Sequence, residues 1–394
     1  MNKKFSVAIL TPNFYMECKE VHGKDRIVYG GSERYIVDFC TMLQSQGIDV
    51  VLYQALSPSR DENGKIMHFG TLYKNFKGIK VVCLEDSSNW ELGVNPSLNM
   101  TFNEVAAYAD LRIYWDTRCA YPYALRPCIS ICHGIYWDYP HYPLNSLNPN
   151  NKASWMEKLL YGFNAPDVCV SVDSNSKKVI SSMFPGKESR MQIIHNYVDT
   201  EKFKPDGIED EHEEIRVLYP RRLTILRGCN EFILASKNYP MYQYMSVGQA
   251  SDEAAENALK QSMQNNPHIK FCHYEMDGVE KAYQWADISV VPTKACEGLS
   301  LSLLESMACG LPVITTPVGG IGDAVIPNYN ALIFDPQNED LGQYIDFMAK
   351  DEGLRKTFGK RNREIAIESF DIKIWATKWM NLIKAFGWMP WMDA

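Results

Sequence analysis

Residues 287–310 of this chain have the sequence DISVVPTKACEGLSLSLLESMACG, a pattern typical of a strand that turns directly into a helix. The apolar run Ile288–Val291 predicts the strand. The leucine-rich run Leu301–Cys309 predicts the helix, which should end at Gly310 because glycine is favoured where a helix terminates. Open α/β sheets bind ligands outside the carboxyl ends of their strands, so this turn is a candidate ligand site.

Two carboxylates, Glu297 and Glu305, lie eight positions apart across this turn. The free backbone amides at the start of the predicted helix form an anion site beside them. Glu305 also completes the run Ser302-Leu303-Leu304-Glu305, which is a capping-box pattern worth only about 1 kcal/mol. Glu305 therefore has two interpretations, a helix cap and a ligand contact, and the surrounding motifs favour the ligand contact.

Two arginines follow another predicted strand, Arg216–Tyr219, within the run 220–228. Arg222 and Arg227 can converge on one anion from this loop, and guanidinium donors match the paired oxygens of a phosphate. The run Gly319-Gly320-Ile321-Gly322 follows a further predicted strand and fits either a close backbone approach to a ligand or a plain turn. These loops predict an anion site in the second half of the chain.

Short β-rich runs alternate with helical stretches along the chain, which predicts parallel sheets with right-handed crossovers. A chain of 394 residues is long for one core, so we predict two α/β domains. They should span residues 1–200 and 215–370, joined by an acidic linker at 201–214. The predicted strands are Val7–Leu10, Val50–Tyr53, Lys80–Leu84, Arg112–Trp115, Cys128–Cys132, Val168–Val172, Gln192–Ile194, Arg216–Tyr219, Tyr242–Val247, Lys270–His273, Ile288–Val291 and Val313–Thr315.

Composition disfavours several classes of protein. The net charge of −8 argues against a nucleic-acid partner. The apolar stretch Phe5–Leu10 is too short for a secretory signal and the 11 cysteines include no CxxC pair, so we expect reduced thiols and a cytoplasmic location. No Asp-x-Asp pair offers a carboxylate clamp for a divalent ion, so we predict no metal site. No G-x-G-x-x-G follows the first strand, which disfavours a nicotinamide dehydrogenase.

The second half of the chain resembles the nucleotide-sugar glycosyltransferases of family 4, which are retaining enzymes with the two-domain GT-B fold. The two carboxylates, the arginine loop and the glycine run carry the resemblance in combination, and it covers nearly all of this half. The matching residues are Arg222, Arg227-Gly228, Ala286-Asp287, Glu297, Glu305, 307–314 and Gly319-Gly320-Ile321.

The first half matches the same family at three places. Gly30-Gly31-Ser32-Glu33-Arg34 resembles the glycine-rich loop that opens the first long helix of that domain. His133-Gly134, at the end of a predicted strand, resembles the active-site histidine and the glycine that follows it. Asn196-Tyr197-Val198-Asp199 resembles the segment that ends the first domain.

Four positions depart from the family pattern. Arg221 stands where a glycine usually precedes the first basic residue, and Arg227 replaces the more usual lysine. Ser300 and Ser302 replace a glycine and an apolar residue. None of these changes removes a charge that the chemistry needs, and the serines can alter how the loop meets the donor.

The resemblance implies a fold and a set of site residues. The fold is GT-B, an α/β architecture of two Rossmann-like, doubly wound parallel-sheet domains facing a central cleft, with a crossing helix within 371–394 that packs back on the first domain. The ribose of the donor is assigned to Glu305 and the transferred sugar to Glu297. The implied catalytic residues are His133, Glu297, Arg222 and Arg227, and the implied donor-binding residues are Gly30, Gly31, Arg222, Arg227, Glu297, Gly298, Leu299, Ser300, Leu301 and Glu305.

The expected activity is retaining transfer of a hexosyl or N-acetylhexosaminyl group from a nucleotide sugar, with a UDP-sugar favoured on family grounds. The acceptor would be a hydroxyl of a glycan, a lipid-linked sugar or a small molecule, and no cofactor is expected. Two alternatives stay open: a nucleotide-sugar epimerase, which would turn over donor without acceptor, and a non-catalytic nucleotide-sugar binding protein. The tryptophan-rich stretch 375–392 predicts packing of the crossing helix, with peripheral contact to the inner face of a membrane as the alternative. One sequence leaves the oligomeric state open.

Overall fold

The computed structural model describes residues 4–16, 26–27, 30–55, 59–60, 66–67, 72–84, 93–135, 149–207, 212–248, 260–261, 263–272, 278–295 and 297–388. The strands are β1 Ser6–Thr11, β2 Tyr15–Met16, β3 Arg26–Ile27, β4 Asp49–Ala55, β5 Ser59–Arg60, β6 Ile66–Met67, β7 Leu72–Phe76, β8 Ile79–Leu84, β9 Leu111–Tyr114, β10 Cys128–Cys132, β11 Val168–Ser171, β12 Met191–Ile193, β13 Arg216–Tyr219, β14 Gln243–Ser246, β15 Ile269–Phe271, β16 Ile288–Val291, β17 Val313–Thr315 and β18 Ala331–Ile333. The helices are α1 Gly31–Ser45, α2 Pro96–Val105, α3 Pro149–Asn164, α4 Ser174–Met183, α5 Cys229–Asn238, α6 Glu280–Trp285, α7 Leu301–Ala308, α8 Leu341–Lys350, α9 Glu352–Phe370 and α10 Ile372–Lys384.

Each half of the chain builds one main sheet. The first has the order β12-β11-β10-β9-β1-β4-β8-β7, in which only the edge strand β7 runs antiparallel. The second has the order β15-β14-β13-β16-β17-β18 and is parallel throughout. The strand order reverses between β1 and β9 in the first sheet and between β13 and β16 in the second, which makes both sheets doubly wound. The predicted fold class is confirmed.

The strands predicted from apolar runs are all present, with bounds that differ from the prediction by at most two residues. His273, the predicted end of one strand, lies outside the described residues. The sequence prediction missed the edge strands Leu72–Phe76 and Ala331–Ile333, because edge strands are short and need less continuous apolar sequence than central ones. Helix α7 ends as predicted, with Gly310 just beyond it at a φ of +74°.

The chain crosses between the halves twice, and the two crossings are hydrogen bonded to each other. The amide of Val198 donates to the carbonyl of Phe370 at 2.8 Å, and the amide of Ile372 donates to the carbonyl of Val198 at 3.0 Å. Phe203, inside the predicted linker, is buried against the second sheet. The predicted bounds at 200, 214 and 370 stay a prediction, although the strands of the two sheets fall on either side of residues 201–214.

The C-terminal helix α10 packs on the first sheet rather than the second. Trp375, Trp379 and Trp388 are buried in the same apolar core as β1 and α1. The indole N–H groups of Trp375 and Trp379 both donate to the hydroxyl of Tyr35 at 2.8 Å. These three tryptophans therefore contribute to packing between α10 and the first half. Across the described residues, no helix combines the length and apolarity needed to cross a membrane.

Candidate active site

The residues singled out in the second half lie at the point where the strand order of its sheet reverses. Arg221–Gly228 follows β13, and 292–300 follows the neighbouring strand β16. The two loops approach closely, because a Cβ on Gly228 would overlap the carbonyl of Pro292. Gly228 also has a φ of +77°, which side chains on L-residues rarely adopt. The crevice at this reversal is where ligands bind in sheets of this kind.

Glu297 is held through one of its two carboxylate oxygens. Its Oε2 accepts from Arg227 Nη1 at 2.9 Å, from Thr293 Oγ1 at 3.1 Å and from Arg221 Nη2. Burial acts to raise the pKa of Glu297, but the charges of Arg221 and Arg227 outweigh it and lower the pKa below its ordinary value. Glu297 is therefore ionised at neutral pH although it is almost fully buried.

The two predicted phosphate-binding arginines have different surroundings. Arg227 is half-buried, pairs with Glu297 and donates to the carbonyl of Ala295 at 3.1 Å. Arg222 is exposed and lies beside the glycine loop of the first half, where a Cβ on Gly30 would stand 2.6 Å from its Nη2. Burial raises the pKa of Glu33 at the same place, opposed by the charge of Arg222. The arginines thus line two sides of the crevice.

The first half meets this site at His133-Gly134, directly after β10. A Cβ on Gly134 would stand 2.5 Å from the amide nitrogen of Gly298, so the two backbones are in close contact. His133 Nε2 lies 2.9 Å from the carbonyl of Trp115, and because a carbonyl only accepts, Nε2 carries the proton. Burial lowers the pKa of His133, opposed by the charge of Asp116. The neutral ring therefore presents Nδ1 as its remaining acceptor.

Sequence reasoning missed Asp116, a carboxylate next to His133. It follows β9, at the strand-order reversal of the first sheet, and this strand-end position was the signal that could have found it. Its carboxylate accepts from Arg118 Nε at 2.9 Å and Arg118 Nη2 at 2.7 Å. Burial acts to raise the pKa of Asp116, but Arg118 outweighs it and the pKa is lowered. The ionised carboxylate of Asp116 therefore lies near His133.

Glu305 does not cap its helix. The N-cap of α7 is Ser300, whose Oγ accepts from the amide of Leu303 at 3.4 Å, and Ser302 lies inside the helix. The capping-box interpretation is therefore wrong. Glu305 is buried and instead forms an ion pair with Arg34 of the first half and accepts from the hydroxyl of Tyr283. Its predicted role at a ribose stays a prediction, and a ribose there would share the carboxylate with these two groups.

The glycine run after β17 serves contact between protein segments. A Cβ on Gly319 would overlap the carbonyl of Glu297, and one on Gly320 would stand 2.7 Å from the amide of Leu299. Around Gly322 nothing lies within 4 Å of a Cβ. The first two glycines therefore let the segment lie against the Glu297–Leu299 turn, which accounts for them without a ligand.

Further contacts hold the halves together around the same turn. Asn196 Nδ2 donates to the carbonyl of Leu299 at 2.5 Å, and the amide of Ser174 donates to Asp323 Oδ2 at 2.6 Å. A Cβ on Gly31 would stand 3.3 Å from the side chain of Leu301. Leu299 and Ser300 are buried. Every predicted site residue thus lies at or beside this contact between the halves.

Two family models match successive parts of the chain. The model described as Glycosyltransferase Family 4 matches residues 29–202, and the one described as Glycosyl transferases group 1 matches residues 200–365. Together they cover the second sheet, the first sheet apart from β1, and every predicted site residue. The chain belongs to glycosyltransferase family 4.

Relatives and solved structures of this glycosyltransferase agree with that placement. An uncharacterised glycosyltransferase of Methanocaldococcus jannaschii is 42% identical over 202 residues, which cover 50% of this chain and 54% of the relative. The chain thus spans about half the length of the curated relatives it matches. The sucrose-phosphate synthase structure from Thermosynechococcus elongatus has a TM-score of 0.76 at 17% identity, covering 97% of this chain and 99% of that one. The Anabaena HepE structure in complex with UDP and glucose has a TM-score of 0.71 at 16% identity, with 96% and 99% covered. These likenesses support the GT-B fold.

Proposed function

We propose that this protein transfers a sugar from a nucleotide diphosphate sugar to a hydroxyl acceptor, with retention of the anomeric configuration. One observation carries the proposal: an ionised, buried carboxylate, Glu297, is held by Arg221 and Arg227 at the strand-order reversal, where the backbone of His133-Gly134 approaches from the first half. A site of this kind offers acceptors for sugar hydroxyls and donors for a diphosphate in one place. The HepE structure, which is a complex with UDP and glucose, favours a UDP-sugar as donor.

The chemistry follows from charge. Breaking a glycosyl–phosphate bond builds positive charge on the sugar and negative charge on the leaving diphosphate. Arg222 and Arg227 would stabilise the diphosphate from two sides, and losing one such donor typically costs about 3–4 kcal/mol in the transition state. Glu297 would accept from hydroxyls of the transferred sugar, and Glu305 from the ribose. In the described part of the chain no three His, Cys, Asp or Glu side chains are grouped as metal ligands. Metal-independent transfer is part of the proposal.

His133 has two candidate roles that predict different products. As a contact to the donor sugar, it would act on the same face as the leaving phosphate, which would help to take the acceptor's proton, and configuration would be retained. As a general base on the opposite face, it would give inversion. We propose the first role, because Nε2 is already engaged by the Trp115 carbonyl and the backbone of His133-Gly134 lies against the Glu297-Gly298 turn.

The acceptor is proposed only by class, as a hydroxyl of a glycan, a lipid-linked sugar or a small molecule. The transferred group is proposed to be a hexosyl or N-acetylhexosaminyl unit, and the location cytoplasmic. Peripheral contact with a membrane stays a prediction for the residues after Trp388, which lie outside the described part of the chain. The epimerase and the non-catalytic binding protein stay as competing functions, because both would use a similar nucleotide-sugar crevice.

The experiment is a thermal-shift screen of nucleotide sugars followed by transfer assays with each ligand found. A ligand present at one hundred times its Kd should stabilise the fold by about 2.7 kcal/mol. Transfer only in the presence of an acceptor, with a retained anomeric proton signal in fresh product by NMR, supports the proposal. Epimerised donor without acceptor supports the epimerase. Binding without any turnover supports the binding protein, and an inverted product contradicts the proposed mechanism.

A further inference from the structure

Arg221 makes a buried contact network that the motif comparison did not predict. It lies directly after β13, and only 8% of its surface is exposed. Its Nη1 donates to Ser300 Oγ at 2.6 Å and to Ser302 Oγ at 2.8 Å. Its Nη2 donates to Thr293 Oγ1 at 3.0 Å and to Glu297 Oε2. One guanidinium therefore ties the loop after β16, the carboxylate and the first turn of α7 together.

Three of the four departures from the family pattern belong to this network. Arg221 is about 80 residues away from Ser300 and Ser302 in sequence, yet its side chain contacts both. The two serine oxygens are also 3.1 Å apart. A glycine at 221 could supply none of these donors, and a glycine at 300 could not accept from Arg221 or cap α7. The departures therefore form one structural unit rather than three independent changes.

The network acts on the two oxygens of Glu297 differently. Arg221, Arg227 and Thr293 all donate to Oε2. Among the described residues none donates to Oε1. A planar guanidinium that is itself fixed by three hydroxyls has little freedom, so it fixes the rotation of the carboxylate as well. The position of Oε1 is then fixed as well.

We propose that Arg221, supported by Ser300 and Ser302, is a positioning residue of the donor site that occupies Oε2 of Glu297 and presents Oε1 alone to the transferred sugar. The inference rests on the proposed function, since it concerns the hydrogen bond between Glu297 and the transferred sugar. A carboxylate with both oxygens free can accept from two vicinal hydroxyls. Here Glu297 accepts a hydrogen bond from a single hydroxyl of the sugar, and the neighbouring hydroxyl bonds to other groups.

The first test compares two substitutions of Arg221 that separate charge from geometry. Arg221→Gln removes the charge, and Arg221→Lys keeps a charge but cannot reach the serines and Glu297 together. Both should weaken binding of the nucleotide sugar by about tenfold, as expected for a hydrogen bond to a charged group, and change binding of free nucleoside diphosphate less than threefold. Calorimetry with the nucleotide sugar and with the free nucleoside diphosphate measures the ratio of the two affinities. Arg361→Gln, on an exposed face of α9, is the matched control and should leave both affinities unchanged.

The pH–rate profile supplies a readout that a purely structural role would not move. Loss of the Arg221 charge removes a group that favours ionised Glu297, so the acidic limb of kcat should shift to higher pH in Arg221→Gln and stay in place in Arg221→Lys. If Arg221→Gln fails to fold, Ser302→Ala is the substitute, because it keeps the Arg221 charge and removes only one of its hydrogen bonds. It should change the ratio of nucleotide-sugar affinity to nucleoside diphosphate affinity in the same direction, by a smaller amount.

The second test uses donors that each lack one hydroxyl of the transferred sugar. In a double-mutant cycle with Glu297→Gln, only one of the hydroxyls should couple to Glu297, with at least about a tenfold effect. Equal coupling of two vicinal hydroxyls would overturn the inference, as would an unchanged binding ratio and an unmoved acidic limb in Arg221→Gln. Failure of the unchanged protein to bind any nucleotide sugar would instead overturn the proposed function, so the two failures are distinguishable.

Discussion

Glu297 and Glu305 lie on the same strand-to-helix segment, but their side chains pair with residues from different halves of the chain. Glu297 is paired with Arg221 and Arg227, which belong to its own half. Glu305 is paired with Arg34, which belongs to the opposite half, and with Tyr283. The geometry of the first carboxylate is therefore held by contacts within its own half. That of the second depends on a contact between the halves.

The largest expected effect is a difference in kcat between variants of these two carboxylates. Glu297→Gln should lower kcat by about 100-fold or more, because the ionised acceptor is lost from a rigid site. Glu305→Gln should weaken donor binding by about tenfold and change kcat less, since the amide can still accept from Tyr283. Steady-state kinetics with calorimetry of donor and free diphosphate measures both.

Melting temperatures of the two variants provide the control for this comparison. A clear loss of melting temperature with normal donor affinity in Glu305→Gln would remove its ribose role. Equal kinetic losses in both variants would contradict the distinction between a carboxylate held within one half and one held between the halves.

The next largest expected effect is on nucleoside diphosphate binding by variants of Arg227 and Arg222. Arg227→Ala should weaken nucleoside diphosphate binding by about tenfold and also lower kcat, because Arg227 is a donor to Glu297 as well as a candidate phosphate ligand. Arg222→Ala should weaken binding by about threefold, since an exposed charge is screened by solvent. Calorimetry at two salt concentrations is the measurement. Unchanged affinity in both variants would end the phosphate assignment.

A smaller effect concerns stability and pH where the halves meet. Asp173 is fully buried against Gly320 of the opposite half and caps α4, and burial raises its pKa to about 6. Its charge therefore opposes folding above pH 6. This cost falls as the pH drops from 6 toward the ordinary pKa near 4, and it vanishes below that value, where the group is protonated in the folded and the unfolded states. The difference is about 2–3 kcal/mol.

The check for this group is Asp173→Asn, which keeps the cap without the charge. The variant should match or exceed the parent in stability at pH 7 and should have a flatter dependence of unfolding free energy between pH 4 and 7. Denaturant unfolding at several pH values measures it. A dependence on pH identical to that of the parent would show that Asp173 does not titrate in this window.

The smallest expected effect is that of chelator. Transfer activity should persist in excess chelator, because the sequence has no Asp-x-Asp pair and two arginines are available to neutralise the diphosphate. Activity that is lost with chelator and restored by magnesium or manganese would mean that a cation supplies the charge here assigned to Arg222 and Arg227.

The sequence alone determined the alternation of strands and helices, the carboxyl-end loops and the identity of most candidate site residues. The strands Cys128–Cys132, Arg216–Tyr219, Ile288–Val291 and Val313–Thr315 have the bounds that their apolar runs predict. This was possible because periodicity and helix termini are local properties, and because parallel strands bring their carboxyl ends to one edge.

Only the tertiary structure decided the partners of those residues. The pairing of Arg34 with Glu305, the Arg221 network and the approach of Gly134 to Gly298 join segments that are distant in sequence. The local pattern even suggested a wrong partner for Glu305, because Ser302-Leu303-Leu304-Glu305 fits a capping box while the helix begins one residue after Ser300. A side chain's partner depends on which segments the packing of the two sheets brings within hydrogen-bonding distance, and that distance is not a property of any single stretch of sequence.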